Sequence, residues 1–298
     1  MPMISLLKAD KTLSSSSKAA DLLVRRLLLP LGGGEFYFAP GERVAIIADV
    51  SLPADNETGA NFDIRLTWAI INIARDAGVC DITVCLRPEP GFDLATVLER
   101  TSYGKLAGID GVKVVGLSEA QATPHRTDTR LVLEDAEVYD ILSMADVIIS
   151  LAKFKTAENR LFGSALANIA YAAKIDDSLS FAMKQRALVD IYSIVAPDLT
   201  IIDCLVGQSG FQNNQADCVI AGSDAVALDT VLCAIAGIDA KTVESLVLAA
   251  QYGEGVNNPG DIAMFGDDLR DILANDVEHE HDHHHGHGHH HGHHHDYN

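Results

Sequence analysis

The sequence lacks the short motifs that mark common nucleotide-binding, hydrolase and iron–sulfur proteins. It contains no Walker loop and no GxGxxG turn. The nearest approach to a serine nucleophile elbow, Gly207-Gln208-Ser209-Gly210, does not have GxSxG spacing. Only five cysteines are present, with no CxxC pair and no spacing suited to an iron–sulfur cluster. The motifs therefore predict no nucleotide site and no iron–sulfur cofactor.

Basic residues and long apolar runs are also scarce. There are 22 Lys and Arg against 42 Asp and Glu, which gives a net charge of −20. This excess of acid argues against nucleic acid and anionic membrane surfaces as partners. No apolar run approaches the roughly 18 residues of a membrane-spanning helix. The first 23 residues, MPMISLLKADKTLSSSSKAADLL, lack the layout of a signal peptide.

The cysteines indicate the compartment. They sit mostly within apolar segments and are read as buried free thiols of a reducing environment. Together with the absence of a leader pattern, this predicts a cytoplasmic protein. The five positions are Cys80, Cys85, Cys204, Cys218 and Cys233.

Histidine is concentrated in one place. Twelve of the thirteen histidines lie in a C-terminal stretch that reads HEHDHHHGHGHHHGHHHDYN. Imidazole suits zinc, nickel and copper, and the interspersed glycines and acids favour a disordered tract of the metal-binding kind. We predict a tail that holds nickel or zinc and releases it below about pH 6, because ligation needs neutral imidazole. The predicted ligands are His279, His281, His283, His284, His285, His287, His289, His290, His291, His293, His294 and His295.

Two plainer interpretations of the tail stay open. One is a purification tag, which the irregular spacing, the interleaved acids and the Asp-Tyr-Asn ending disfavour. The other is a metal buffer with no bearing on the rest of the molecule. The stretch from His279 to His283 also matches the HExxH pattern of zinc proteases. That mechanism needs a stable helix with both histidines on one face, which this glycine-broken, charged stretch does not offer.

Strand-like and helix-like segments alternate along the body of the chain. This pattern predicts an α/β fold with a mostly parallel sheet covered by helices on both faces. Residues 1–34 are expected to form an N-terminal helix and linker, 35–275 the α/β body and 276–298 the tail. Strands are predicted at 43–50, 81–86, 112–115, 145–151, 199–205 and 217–221. Helices are predicted at 18–29, 62–76, 94–106, 163–173, 179–194, 224–236 and 240–252.

The most promising place for chemistry in the body is the end of the strand at 145–151. Ligands of open parallel sheets bind beyond the carboxyl ends of the strands. Lys153 and Lys155 are two residues apart, so an extended chain directs both ammonium groups to one side. Two cations held together favour a carboxylate or a phosphate, to which Thr156 can donate a hydrogen bond. The plainer alternative is a solvated strand end with two ordinary lysines.

Several other polar residues occupy comparable positions. Asp203 lies inside the apolar stretch LTIIDCL, where a charge is costly unless it is paired. Asp224 follows Ser223 at a helix start and is explained by capping. Asp49 lies near the end of the first strand, and Asp55, Asn56 and Glu57 in the loop after it can ligate a hard cation or simply be solvated. His125, the one histidine of the body, is more typical of a surface or hydrogen-bonded histidine than of a metal ligand.

Five segments together resemble the bacterial and archaeal family called domain of unknown function 362. The family has a Pro-Gly turn before its first strand, a Leu-Pro-Lys-x-Lys-Thr-His strand end and a Gly-Ala-Leu-Lys-Asn stretch. A Pro-x-Leu-x-Ile-x-Asp strand and a closing Ala-Gly-x-Asp-x-Val-Ala-x-Asp segment follow. The matching stretches are Pro40–Val44, Leu151–Ala157, Gly163–Asn168, Pro197–Asp203 and Ala221–Asp229.

The chain departs from the family pattern at several polar positions. Ala157 stands where the family has histidine, Ala167 where it has lysine, and Ala48-Asp49-Val50 where it has Lys-Pro-Asn. The ferredoxin-like domain that many relatives carry is missing. The resemblance implies the α/β fold and places Asn168 among the ligand-binding candidates. The family is distantly similar in architecture to nickel-dependent lactate racemases, which makes nickel a candidate for the tail.

Three functions follow from these observations. The first is a cytoplasmic metal-handling protein, a metallochaperone or metal store, whose body recognises a partner or an anionic ligand. The second is an enzyme that acts on a carboxylate or phosphate compound at the strand ends, with Lys153 and Lys155 binding the anion and Asp203 or Asp49 as base or metal ligand. The third is a scaffold in the maturation of a metalloenzyme client.

Overall fold

The computed structural model describes residues 1–9, 16–157, 160–205 and 216–273. The strands are β1 (Met3–Lys8), β2 (Arg43–Ala48), β3 (Asp81–Leu86), β4 (Val112–Gly116), β5 (Ala122–Arg126), β6 (Asp135–Tyr139), β7 (Val147–Lys153), β8 (Lys155–Ala157), β9 (Arg160–Gly163), β10 (Ala173–Lys174), β11 (Leu199–Cys204), β12 (Cys218–Gly222) and β13 (Ala263–Gly266). The helices are α1 (Ser17–Leu28), α2 (Gly34–Tyr37), α3 (Ile64–Asp76), α4 (Leu94–Arg100), α5 (Asp140–Ser143), α6 (Ala165–Ile169), α7 (Phe181–Tyr192), α8 (Ala225–Ile235) and α9 (Glu244–Tyr252).

The main sheet has eight strands in the order β13-β1-β12-β11-β7-β2-β3-β4. The pairs β11–β7, β7–β2, β2–β3, β3–β4 and β1–β13 are parallel, whereas β12 is antiparallel to both of its neighbours. The prediction of a mostly parallel α/β sheet is confirmed. In the part of the chain that the structure describes, no helix has both the length and the apolar character needed to cross a membrane.

The sheet separates two hydrophobic cores. Alternate side chains of β2 point to opposite faces, as a strand requires: Ile46 joins one core and Ile47 the other. The core of Ile46 is closed by α1, α3 and α4, and the core of Ile47 by α6, α7, α8 and α9. Helices thus cover both faces, so the central strands are buried on both sides and read as continuous apolar runs.

The N-terminal strand β1 is the main feature that the sequence analysis did not predict. It lies between β12 and β13, antiparallel to the first and parallel to the second. Its buried residues Ile4, Leu6 and Leu7 contribute to the two cores. The stretch MISLLK is short and precedes a polar run, and only its two distant partner strands identify it as part of the sheet.

Polar residues define where the helices begin. The side chain of Ser16 accepts hydrogen bonds from the backbone of Lys18 and Ala19 at the start of α1. Asp63 and Asp224 cap α3 and α8 in the same way, which confirms capping as the explanation of Asp224.

Two predicted helices are much shorter in the structure than the sequence indicated. Gly163, the first residue of the helix predicted over 163–173, is instead the last residue of β9, which pairs with β8. Helix α6 starts only after Ser164, whose hydroxyl accepts from the Ala167 amide. The helix predicted over 94–106 ends at Arg100, because Thr101 then caps a separate 3₁₀ turn over Ser102–Gly108.

Candidate active site at the carboxyl edge of the sheet

The carboxyl ends of β2, β7 and β11 bring four charged side chains to one edge of the sheet. Asp49 follows β2, Lys153 ends β7, Lys155 begins β8, and Asp203 is the penultimate residue of β11. These strands are adjacent and parallel, so their ends meet although the residues are up to 154 positions apart in the chain. The structure thus places the sequence-predicted residues at the edge where ligands of parallel sheets bind.

Lys153 and Asp203 form a buried ion pair. The Lys153 Nζ lies 3.0 Å from Asp203 Oδ1, and each side chain is only 1% exposed. The Asp203 carboxylate also accepts hydrogen bonds from the backbone amides of Asp63 and Leu205, both at 2.9 Å. The pairing that a charge inside an apolar strand requires is therefore present. The charge of Lys153 is neutralised inside the protein.

Lys155 pairs with a different carboxylate. Its Nζ lies 3.0 and 3.1 Å from the two oxygens of Asp49, and the side chains are 15% and 7% exposed. The two-residue spacing suggested that both ammonium groups converge on one point. In the structure they do not, because each lysine pairs with a different carboxylate. Phe154 lies between β7 and β8, and its amide donates to the Asp203 carbonyl at 3.0 Å. Anion binding by either lysine stays a prediction.

Asn168 and Thr156 complete the set of sequence-predicted ligand residues. The Asn168 Nδ2 donates to the Ile47 carbonyl at 3.2 Å and to the Ser150 Oγ at 2.8 Å, so the side chain ties α6 to β2 and β7. Within the described residues its buried Oδ1 accepts no hydrogen bond. Thr156 is buried beside the ion pairs. Ligand contact by these two residues also stays a prediction.

Helix α6 is itself positioned by a buried carboxylate. Asp229 of α8 accepts hydrogen bonds from the backbone amides of Ala165 at 2.7 Å and Leu166 at 3.0 Å. Burial raises the pKa of Asp229 to about 7, although these amides and the Ser164 hydroxyl favour the charged form. The last aspartate of the family-like segment therefore holds the helix that carries Asn168.

A cleft opens beyond the carboxyl end of β3. Its volume is about 420 Å³. The walls come from the loop after β3, the turn after β4 and the segment after α6. The lining residues are Arg87, Pro88, Glu89, Pro90, Phe92, Ser118, Tyr171 and Asp177. None of these residues was predicted from the sequence.

Arg87 is held in place at the wall of this cleft. Its guanidinium carbon lies 5.7 Å from the centroid of the Tyr171 ring, within cation–π range. Its Nη1 donates to the Ala170 carbonyl at 3.3 Å. Only part of its five-donor fork is used by these contacts, so the remaining N–H groups are available to a ligand.

Tyr171 links the cleft to the Lys155–Asp49 pair. The nearby Asp49 carboxylate is the main cause that raises the pKa of Tyr171, burial adds to it, and the Arg87 charge opposes both. The phenol therefore stays protonated at neutral pH and serves as a hydrogen-bond donor. Ser51, three residues beyond the end of β2, donates to the Glu89 carboxylate at 3.4 Å on the same side.

A larger groove lies elsewhere and is a weaker candidate. It measures about 840 Å³ and runs between α1 and α3, where its walls include the exposed Arg25–Asp76 ion pair and Trp68. This groove is open and distant from the strand ends. We favour the smaller cleft because it lies at the carboxyl edge and because its lining residue Tyr171 is close enough to Asp49 for that carboxylate to raise the Tyr171 pKa.

A body-bound metal finds little support in the geometry. Among the described residues, no group of three or more His, Cys, Asp or Glu side chains is placed to hold a metal ion. In the acidic loop after β2, the Asn56 Oδ1 accepts from the Ile64 amide instead. His125 is half-buried in β5, with its Nε2 3.2 Å from the Thr123 hydroxyl. The twelve tail histidines lie outside the described residues.

The missed residues carried only a weak signal in the sequence. Arg87 is the first residue after β3, so a search of every strand end for polar residues finds it. Tyr171 follows a short helix 84 positions later, and nothing in its local sequence indicates the contact with Arg87.

Comparison with known proteins identifies the family of this chain. The family model described as "Domain of unknown function (DUF362)" matches residues 44–234. No curated protein matches the sequence. Among solved structures, the lactate racemase apoprotein from Thermoanaerobacterium thermosaccharolyticum is 11% identical with a TM-score of 0.40, over 74% of this chain and 54% of that chain. The chain thus spans about half the length of that solved structure.

Proposed function

This chain belongs to the family described as "Domain of unknown function (DUF362)". We propose that its α/β body is an enzyme that binds a small carboxylate or phosphate compound in the cleft beyond β3 and acts on it. One observation carries the proposal. Arg87 presents a guanidinium, fixed between the Tyr171 ring and the Ala170 carbonyl, to a cleft at the carboxyl edge of a parallel sheet.

The chemistry of Arg87 favours an anion with two oxygens. Its planar fork binds a carboxylate or a phosphate through two parallel hydrogen bonds. Because the ring and the carbonyl already orient the side chain, little conformational entropy is lost when a ligand binds. Glu89 and Asp177 carry negative charge at the same cleft, so the ligand must present its anionic group to Arg87 rather than to the rim.

Asp49 and Tyr171 are the groups that we assign to proton transfer or hydrogen bonding. Asp203 is enclosed and satisfied by Lys153 and two amides, which fits a structural role. Asp49 is more exposed, lies close enough to Tyr171 to raise its pKa, and is neutralised by Lys155. A protonated phenol beside a carboxylate can donate to a ligand oxygen while the carboxylate accepts a proton.

A ligand panel tests the proposal. Thermal shifts are measured with mono- and dicarboxylates, hydroxy acids and phosphorylated metabolites, and hits are titrated by calorimetry. We expect Arg87→Ala to weaken the best hit at least about tenfold, the loss of roughly 1.4 kcal/mol that a charge-assisted contact supplies. Arg26→Ala, which removes an exposed arginine of α1, is the matched control. Equal affinity in both variants, or no shift with any compound, would overturn the assignment.

A second function, metal handling, rests on the sequence of the tail. Twelve histidines within seventeen residues form a dense set of imidazole donors. We propose that the tail captures nickel or zinc and that the body recognises the anionic ligand or a client protein. Metal capture by the tail does not depend on the cleft.

Calorimetry separates the two functions. Nickel and zinc are titrated into the full chain and into a chain that ends at Asn275. We expect tight binding only in the full chain, with a sharp loss below about pH 6 as the imidazoles protonate. A stoichiometric site that survives truncation would contradict the tail assignment and move the metal into the enzyme proposal.

A further inference from the structure

Two cysteines face each other across neighbouring strands at the edge of the sheet. β11 and β12 are antiparallel, and Cys204 pairs directly with Cys218 in their register. Residues directly opposite in such a ladder have Cα atoms about 4.5 to 5.5 Å apart. A disulfide spans Cα separations of about 4.4 to 6.8 Å. The backbone therefore already holds the two residues at bonding separation.

The two thiols are also in contact on the same face of the sheet. Both belong to the core beneath α6 to α9 and are fully buried. Burial is the main cause that raises the pKa of Cys204 well above its ordinary value, and a hydrogen bond with the Cys218 thiol adds to it. Both are free thiols in the structure. They form the one cysteine pair in the described residues that a strand register places face to face.

We propose that Cys204 and Cys218 are a redox-active dithiol, which a peroxide oxidises to an intramolecular disulfide between β11 and β12. The dithiol lies at the carboxyl end of β11, where Cys204 follows Asp203 directly. It does not depend on the proposed function. The fold needs no rearrangement to accommodate the bond, since the register of the strands stays the same.

The reaction balances without any other oxidant. The Cys204 thiolate attacks one oxygen of hydrogen peroxide, the O–O bond breaks, and a sulfenic acid and hydroxide form; the hydroxide takes up the thiol proton to give water. The Cys218 sulfur then attacks the sulfenic sulfur, the S–O bond breaks, and a second water leaves with the Cys218 proton. Two thiols and one peroxide thus give one disulfide and two waters.

Burial sets the rate of this oxidation. The thiolate is the reactive form, and the raised pKa of Cys204 keeps its fraction small at neutral pH. The rate of disulfide formation should therefore rise about tenfold per pH unit while the pH stays below the pKa. An exposed thiol such as Cys80 should react faster at pH 7, because peroxide reaches it directly from solvent.

The experiment is peptide mapping of the folded, full-length protein in a Cys80→Ser background, which removes intermolecular disulfides. The protein is exposed to hydrogen peroxide at pH 7 and pH 9, alkylated and digested without reduction. We expect one linked peptide pair that joins Cys204 to Cys218, lost on reduction, with a higher yield at pH 9. Its formation should raise the Tm of the oxidised protein.

Matched variants control for generic oxidation. Cys204→Ser and Cys218→Ser should each abolish the linked pair, whereas Cys85→Ser and Cys233→Ser, which remove buried cysteines of the same core, should retain it. If a serine variant does not fold, the mapping of the unsubstituted pair still decides the question. Alkylated free thiols at both positions after peroxide treatment, or sulfinic acid at either without a link, would overturn the proposal.

Discussion

At the residue scale, buried charges organise the carboxyl edge of the sheet. Lys153 and Asp203 neutralise each other, and Lys155 and Asp49 form a second pair nearer the surface. A buried ion pair is weak evidence for net stability, but removal of one partner leaves an uncompensated charge. The two pairs thus differ in what they can do, since Asp49 of the more exposed pair acts on the pKa of Tyr171, which lines the cleft.

The first prediction concerns the buried pair. Lys153→Met should lower the free energy of unfolding by about 3 to 5 kcal/mol, because Asp203 would remain charged and buried without its partner. Addition of Asp203→Asn should restore more than half of the loss. Urea denaturation measures both. As a control, Lys113→Met, which breaks the exposed pair with Asp81, should lower the free energy of unfolding by no more than about 1 kcal/mol. An equal loss in Lys153→Met and Lys113→Met would contradict the prediction.

The second prediction concerns Asp229. Its folded-state pKa of about 7 lies above the ordinary value near 4, so the folded state binds the proton more tightly. Between about pH 4 and 7 this contribution makes stability fall as the pH rises, by up to about 1.4 kcal/mol per unit. Asp229→Asn should flatten this slope. Urea midpoints at pH 5 and 7.5 test it, and an unchanged slope in the variant would contradict the assignment.

At the element scale, single polar side chains hold whole segments. Asp190 of α7 is fully buried and accepts hydrogen bonds from the consecutive amides of Leu131, Val132 and Leu133, at 2.7 to 2.8 Å. It also accepts from the Thr129 hydroxyl. One carboxylate thus fastens the loop between β5 and β6 to a helix that follows some fifty residues later.

The third prediction tests this fastening. Asp190→Ala should expose or orphan three backbone donors, with a loss of at least about 2 kcal/mol in the free energy of unfolding. Hydrogen exchange should show lost protection at 131–133 before the rest of the chain. The free energy of unfolding of Asp190→Asn should lie between those of the unsubstituted protein and Asp190→Ala. Asp176→Ala, which removes an exposed turn residue, is the control, and unchanged exchange at 131–133 would show that other contacts hold the loop.

At the scale of the whole molecule, the acidic excess acts on stability. The net charge is −20, so the negatively charged side chains repel one another in the compact state. The screening length shortens from about 30 Å at 0.01 M salt to about 8 Å at 0.15 M. Exposed charges are therefore screened over this range, whereas the buried ion pairs are not.

The fourth prediction follows from this difference. The Tm should rise by a few degrees between 0.01 and 0.15 M NaCl, because screening relieves surface repulsion without weakening the buried pairs. Differential scanning calorimetry measures the change. KCl should match NaCl, since the effect depends on ionic strength. A Tm that stays constant or falls would show that exposed ion pairs outweigh the net repulsion.

The fold was predictable wherever local pattern and burial agree. β2, β3 and β11 are buried on both faces of the sheet, so each has a continuous apolar sequence that predicts a strand by itself. Ser16 and Asp224 mark helix starts by local hydrogen bonds. β1 escaped prediction because its partners, β12 and β13, lie more than 200 residues away.

The site was predictable only in part. The sequence predicts that Asp203 needs a counter-charge, because it lies inside an apolar strand. It also predicts that Lys153 and Lys155 lie at a strand end. That Lys153 rather than Lys155 supplies the counter-charge is a contact between the neighbouring strands β7 and β11, which the two-residue spacing does not specify. Arg87 and Tyr171 depend on two loops that meet only after the sheet is assembled.

The sequence by itself determined the α/β class, the family and the composition of the histidine tail, because periodicity, motif order and residue type are local properties. Only the tertiary structure decided which carboxylate neutralises which lysine, where the cleft opens, and that Cys204 faces Cys218. Those are contacts between residues distant in the chain, and the order of strands in the sheet creates them.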